Sequence, residues 1–67
     1  MIKLCHNRNS AIYDNGDNWV WKAEGKNDIV YEKKYNPLFP LAAVVKFEMT
    51  TDNEDTMNKL RAKSKTA

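Results

Sequence analysis

Residues Asn18–Tyr35 read NWVWKAEGKNDIVYEKKY and hold both tryptophans and two of the three tyrosines of the chain. Two runs of aromatic and β-branched residues, at 19–21 and 29–31, flank the turn-forming segment EGKN at 24–27. Such runs are typical of strands, and glycine and asparagine are typical of tight turns. The stretch therefore predicts an antiparallel β-hairpin that carries much of the apolar surface available for burial.

The length of the hairpin loop decides which side chains share a face of the sheet. A loop of two or four residues places Trp21 opposite Val30 and sends Ile29 and Tyr31 to the other face. A three-residue loop pairs Trp21 with Tyr31 and Ala23 with Ile29. Because a slip of one residue moves every side chain to the opposite face, burial selects the register. We expect the three-residue loop, which gathers one apolar face: Ile12, Trp19, Trp21, Ala23, Ile29 and Tyr31.

A further hairpin is predicted on the N-terminal side of this stretch. Asn15-Gly16 is the strongest short-range hairpin signal in the sequence. A two-residue turn at this dipeptide places Ile12 opposite Trp19. It also sets the acids at 14 and 17 against each other, which is unfavourable and would be relieved by a slightly longer loop. Residues 2–5 alternate in polarity and predict one more short strand.

The segment NPLFP at 36–40 is expected to break the chain, because each proline removes a donor and restricts its predecessor. After it, Val45, Phe47 and Met49 alternate with charged residues, which is a period of two. We therefore predict a strand over residues 41–49, with a helix as the alternative.

A helix is predicted at the C-terminal end of the chain. Residues 51–54, TDNE, fit a capping box in which Thr51 and Glu54 each satisfy free backbone N–H groups. Acids lie in the first turn and bases lie toward the end, which complements the helix dipole. Met57 and Leu60 would face the sheet.

The predicted fold class is α+β, with a small antiparallel β-sheet of four to five strands in a meander and one C-terminal helix. Residues 1–67 are expected to form a single small domain. Residues 59–67 form a basic helix end or tail, with four bases and no acid, whereas the remaining chain has seven bases against nine acids. The positive net charge therefore belongs to this end and is not spread over the fold.

Cysteine usage and hydropathy suggest the compartment. The single cysteine, Cys5, excludes an internal disulfide, and small secreted domains usually carry several. The N-terminus lacks the apolar core of a signal peptide, and no stretch approaches the roughly 20 apolar residues of a membrane span. We expect a cytoplasmic protein without membrane association. Its richness in lysine and asparagine suits a small product of an AT-rich genome, such as that of a phage.

The sequence contains no evident catalytic, cofactor or metal motif. Neighbours such as Cys5 and His6 point to opposite faces of a strand, and two soft ligands are too few for structural zinc. The oxygen-bearing side chains around Gly16 lack the spacing of an EF-hand loop. Both glycines lie in predicted turns and cannot form a phosphate-binding loop. We expect a protein that is not an enzyme and binds no cofactor or metal.

The aromatic and basic side chains are the remaining functional signal. Tyrosine, tryptophan and arginine are common anchors of protein interfaces. Aromatic rings flanked by lysines also stack on the bases of single-stranded nucleic acid. The candidate partner-binding residues are Tyr13, Tyr35, Phe39, Lys33, Lys34, Lys59, Arg61 and Lys63.

Two functions follow from these residues. The leading hypothesis is a small non-catalytic binding protein that occupies the surface of a larger protein, such as a phage or mobile-element inhibitor or modulator of a host machine. The edge of its sheet could add a partner strand, or could pair two copies as a homodimer. The alternative hypothesis is a nucleic-acid-binding module that uses the lysine-flanked aromatics and the basic C-terminal tail.

Overall fold

A computed structural model describes residues 1–65 of the chain. Within them lie five strands and two helices: β1 (Ile2–His6), β2 (Ser10–Asn15), β3 (Asn18–Ala23), β4 (Ile29–Glu32), α1 (Phe39–Lys46), β5 (Thr50–Thr51) and α2 (Glu54–Lys65). The strands form one antiparallel sheet in the order β4-β3-β2-β1-β5. This confirms the predicted α+β class, its strand number and the C-terminal helix.

The strand predicted over residues 41–49 is wrong, because α1 occupies most of this segment. Pro40 lies in the first turn of the helix, where its missing N–H has no intrahelical partner to lose. Apolar residues at 40, 43, 44 and 47 follow helical spacing and pack toward the core. Val45, which the strand prediction would bury together with Phe47 and Met49, is 81% exposed.

The first hairpin turns one residue later than predicted. Gly16 and Asp17 form its two-residue loop, and Gly16 has a φ of 69°, as in a type II′ turn. Ile12 consequently lies opposite Trp21 instead of Trp19. The later turn also separates the two acids that the predicted register would have set against each other, since residue 14 faces Trp19.

The second hairpin has a longer loop than predicted, comprising residues 24–28. Trp21 lies opposite Ile29 rather than opposite Tyr31. The cause lies in the neighbouring strand pair, because Glu24 donates its N–H to the carbonyl of Asn9 at 2.8 Å and so remains bound alongside β2. Both registers differ from the prediction by two residues, an even number, so the predicted apolar face is preserved.

A β-bulge in β1 turns two consecutive side chains into the core. The pairing passes from Lys3 opposite Tyr13 to Cys5 opposite Ile12, so Leu4 is the extra residue. Leu4 and Cys5 are both fully buried. The carbonyl of Leu4 also accepts hydrogen bonds from the N–H groups of residues 52 and 53, at 2.7 and 3.1 Å. The bulge therefore holds the start of α2 against β1.

The start of α2 differs from the predicted capping box. Thr51 belongs to β5, and the cap is Asn53, whose Oδ1 accepts the N–H of Thr56 at 3.1 Å. Met57 and Leu60 are buried against the sheet, as predicted. Residues 59–65 of the predicted basic end are helical, and residues 66 and 67 lie outside the described residues.

The two faces of the sheet differ in what covers them. Both helices pack on one face, around a buried cluster of Leu4, Cys5, Ile12, Trp19, Ala43, Met49, Met57 and Leu60. The other face carries the alternate residues of the strands, among them Lys3, Tyr13, Val20, Lys22 and Val30. We call this second surface the open face.

Candidate binding surface

Cys5 and His6 lie on opposite faces of β1. The Cys5 thiol is fully buried and donates to the sulfur of Met49 at 3.6 Å. Burial, followed by the negative charge of Asp52, raises the pKa of Cys5 to about 11, so the thiol is protonated at neutral pH. The Nδ1 atom of His6 lies 2.7 Å from a carboxylate oxygen of Asp52. The two side chains are therefore not arranged as a nucleophile and its base.

One acid near the first hairpin turn, Asp14, contacts a lysine. The ammonium of Lys33 lies 2.7 Å from Oδ1 of Asp14 and 4.3 Å from the ring centroid of Trp19. Lys33, a predicted partner-binding residue, is thus engaged inside the fold. Among residues 1–65, no group of three or more His, Cys, Asp and Glu side chains is placed to hold a metal ion.

Most aromatic rings pack between the sheet and the helices. Trp19 is buried, and its Nε1 donates to the carbonyl of Asn36 at 2.7 Å. The ring of Trp21 lies 4.9 Å from that of Phe47, and Tyr31 stacks on Phe39 at 4.1 Å between centroids. Phe39, another predicted partner-binding residue, is therefore half-buried in this layer.

Two predicted rings lie outside that layer. Tyr35 is 71% exposed in the segment after β4, with the ammonium of Lys34 5.0 Å from its centroid. Tyr13 is half-buried on the open face, and the ammonium of Lys22 lies 5.5 Å from the centroid of its ring. Among residues 1–65, neither of these two rings is in contact with another aromatic ring.

The predicted basic residues at the C-terminal end lie along α2. Arg61 donates to Oδ1 of Asn58 at 3.0 Å and lies 3.5 Å from a carboxylate oxygen of Glu54. Lys59 and Lys63 are exposed on the same helix. A groove of about 260 Å³ separates α1 from α2, lined by Leu41, Val44, Val45, Arg61, Ser64 and Lys65.

The sequence analysis predicted that an edge of the sheet could add a partner strand but did not identify β4 as that edge. Ile29 is 43% exposed and Val30 is 57% exposed, on opposite faces of the strand. In a meander, the strand that was incorrectly predicted over 41–49 would pair with β4, so β4 was not expected to be an edge strand. The sequence feature that could have indicated this edge is the segment at 36–40, which interrupts the chain between β4 and the elements that follow it.

Hydrogen-bond alternation shows which main-chain groups of β4 face outward. Lys33 donates its N–H to the carbonyl of Asp17 at 3.0 Å, which continues the β3–β4 register by one pair. In an antiparallel pair, hydrogen-bonded positions alternate, so Ile29 and Tyr31 bond toward β3 while Val30 and Glu32 point away from it. The carbonyl of Glu32 is already used, because it accepts the N–H groups of residues 35 and 36.

No helix within residues 1–65 is long and apolar enough to cross a membrane. No protein family, curated protein or solved structure matches the chain.

Proposed function

We propose that this protein is a non-catalytic binding protein that attaches to a larger protein by adding a strand to its β4 edge. The observation that carries the proposal is Val30, an apolar residue that is 57% exposed at the centre of a free sheet edge. Strand addition supplies affinity through main-chain hydrogen bonds and specificity through alternate side chains.

The main chain of β4 has the groups that such pairing needs. The N–H and C=O of Val30 and the N–H of Glu32 point away from β3. A partner residue opposite Val30 can exchange two hydrogen bonds with it, and the N–H of Glu32 can donate a third. Because the carbonyl of Glu32 is bound by the following turn, the pairing would end there.

The side chains around this edge add apolar area. Ile29 and Val30 lie on opposite faces of β4, so an added strand would cover part of both. Tyr35 lies close to the same edge, since its N–H is bound to the carbonyl of Glu32 at 3.2 Å. Tyrosine is a frequent anchor of protein interfaces.

The two edges of the sheet are not equivalent. Free edges are commonly protected by charged side chains, proline, a bulge or extreme shortness. The other edge strand, β5, has only two residues, whereas β4 has four and carries a single charged residue, Glu32, at its end. Residues 29–31 of β4 are therefore the part of the two edges better suited to pairing with a partner strand.

A protein that covers a strand of its partner blocks the use of that strand by others. This action suits an inhibitor or modulator of a larger machine, and the lysine- and asparagine-rich composition fits a phage or mobile-element source. The alternative of nucleic-acid binding has less geometric support, because Trp19, Trp21 and Tyr31, which would stack on bases, contact Asn36, Phe47 and Phe39 instead.

The proposal is tested with Val30→Lys, which places a charge at the centre of the edge. Val45→Lys is the matched control, since Val45 is also an exposed valine but lies on α1. We expect proteins retained from a host lysate by the immobilised wild type to be lost with Val30→Lys and kept with Val45→Lys. Equal retention by both variants would place the binding surface elsewhere and reject the β4 edge.

A further inference from the structure

We infer that the β4 edge selects a partner strand in which an apolar residue is flanked, two positions away on each side, by basic residues. This inference rests on the proposed strand addition and names the chemistry of its partner. Val30 and Glu32 lie on the open face of β4. Asp28 directly precedes β4, and its carboxylate is on the same side of the sheet, because it lies 3.9 Å from the ammonium of Lys22. The edge therefore presents acid, apolar residue and acid in a row.

An antiparallel partner strand would meet these three side chains directly. If one partner residue lies opposite Val30, the residues two positions away lie opposite Asp28 and Glu32. Opposite charges facing each other across strands are stabilising, and like charges are destabilising. Lysine or arginine at both flanking positions is consequently preferred, and aspartate or glutamate is disfavoured.

Both carboxylates can accept such a partner. Asp28 is exposed, and its own contact with Lys22 is a solvent-exposed pair at 3.9 Å, which is weak. Glu32 borders an open concavity of about 430 Å³ that Asp17 also lines. Two lysines also line this concavity. Lys33 is bound to Asp14, and Lys34 lies over the ring of Tyr35.

The residues between these positions meet an apolar surface. Ile29 and Tyr31 alternate with the acids and lie on the helix-covered face, where Tyr31 stacks on Phe39. The partner residues next to the central one would lie against them. The preferred segment is therefore basic, apolar, apolar, apolar, basic, in an extended conformation.

A second copy of this chain fits the edge poorly. Two β4 strands paired antiparallel about Val30 would set Asp28 of one copy opposite Glu32 of the other, at both ends of the pairing. Four carboxylates would then lie in two like-charged pairs, which is destabilising. The charges thus favour a different protein over a homodimer at this edge.

The test uses two nine-residue peptides with a central valine and threonine elsewhere, except that lysine or glutamate occupies the positions two before and two after the valine. They are titrated into the ¹⁵N-labelled protein, and the amide signals of Val30 and Glu32 are followed. We expect the lysine peptide to bind with a Kd about 2- to 30-fold lower than the glutamate peptide.

The double variant Asp28→Lys/Glu32→Lys should reverse this order of affinity. The control Glu48→Lys/Asp55→Lys makes the same change in net charge at two exposed acids outside β4 and should keep the wild-type order. Circular dichroism and thermal melts would establish that both variants are folded.

Failure of the charge preference and failure of strand addition give different results. Equal affinities of the two peptides, with shifts still centred on Val30 and Glu32, would overturn the inference and leave the edge proposal standing. Absence of any shift at these amides with either peptide would overturn the edge proposal and the inference together.

Discussion

Glu48 is held in the left-handed region of backbone space, with φ of 51°, just beyond α1. The N–H of the next residue, Met49, donates to the carbonyl of Val44 at 3.2 Å. A Schellman motif has two hydrogen bonds, and this is the one that spans more residues of the chain. Glycine usually occupies this position, because a side chain there is strained. The sequence pattern could not reveal this ending, since glutamate is not a signal for it.

Glu48→Gly is expected to raise the free energy of unfolding by about 0.5–1 kcal/mol. The left-handed conformation costs an L-residue about 1–2 kcal/mol, and the greater freedom of glycine in the unfolded chain offsets part of the gain. Urea denaturation measures the change. Glu48→Ala is the control and should give no gain; an equal gain for alanine would show that the carboxylate, not the backbone, is unfavourable.

Cys5 provides a pH-dependent prediction at the same scale. Its pKa rises from 9.0 to about 11 on folding, mainly through burial. Between pH 9 and about 11, the thiol is protonated in the native state and loses its proton in the unfolded state. Its contribution to the free energy of unfolding is therefore fully present below pH 9 and is lost as the pH rises to about 11. The loss due to this group is about 2–3 kcal/mol at most.

Comparison with Cys5→Ala isolates the contribution of the thiol. The wild type should lose more stability than the variant between pH 8.5 and about 10.5 when urea midpoints are compared. The thiol should also react with a disulfide reagent only on unfolding. Parallel pH curves, or rapid reaction of the folded protein, would contradict the buried thiol.

At the scale of secondary structure, the strands before residue 33 and the C-terminal helix were predictable, and the helix at 39–46 was not. Alternation over Val45, Phe47 and Met49 competes with helical spacing over Pro40, Ala43, Val44 and Phe47 within residues 40–49. Sequence alone gives both periods similar weight. The packing against β1 and α2 selects the helix, because it buries Pro40 and Ala43.

Val45→Ala tests that assignment by the sign of its effect. Val45 is exposed in the last turn of α1, where alanine is the better helix former, so the substitution should stabilise the protein by at most about 0.5 kcal/mol. In a strand, replacing a β-branched residue by alanine would destabilise it. Thermal melts of wild type, Val45→Ala and Val45→Gly should rank alanine first and glycine last.

Register was the least predictable feature of the sheet, although its faces were correct. Both hairpins shifted by two residues, which changes every cross-strand partner but no side chain's face. Burial of apolar residues determines the face, whereas turn hydrogen bonds such as that from Glu24 to Asn9 determine the register. Hydrophobic periodicity in the sequence therefore predicts the face of each side chain but does not predict the register.

For the whole molecule, the layer of helices decides which candidate residues remain at the surface. The helices cover the face that holds Trp19, Trp21 and Tyr31. Of the predicted site residues, Phe39 belongs to α1 and stacks on Tyr31, and Lys33 lies over the ring of Trp19. The sequence could identify the interface-forming residue types, but it could not separate rings in the core from rings at the surface. That separation depends on α1, which was not predicted.

The nucleic-acid hypothesis is tested with single- and double-stranded oligonucleotides at about 50 and 200 mM salt, following tryptophan fluorescence and anisotropy. We expect no salt-dependent binding and no quenching, because Trp19 is buried and hydrogen-bonded to Asn36, and Trp21 packs on Phe47. Base stacking on Trp19 would require its ring to leave the core. Among the bases of α2, Arg61 is already bound to Glu54 and Asn58. Quenching that weakens about tenfold or more at the higher salt would contradict this expectation and favour nucleic acid over a protein strand as the partner.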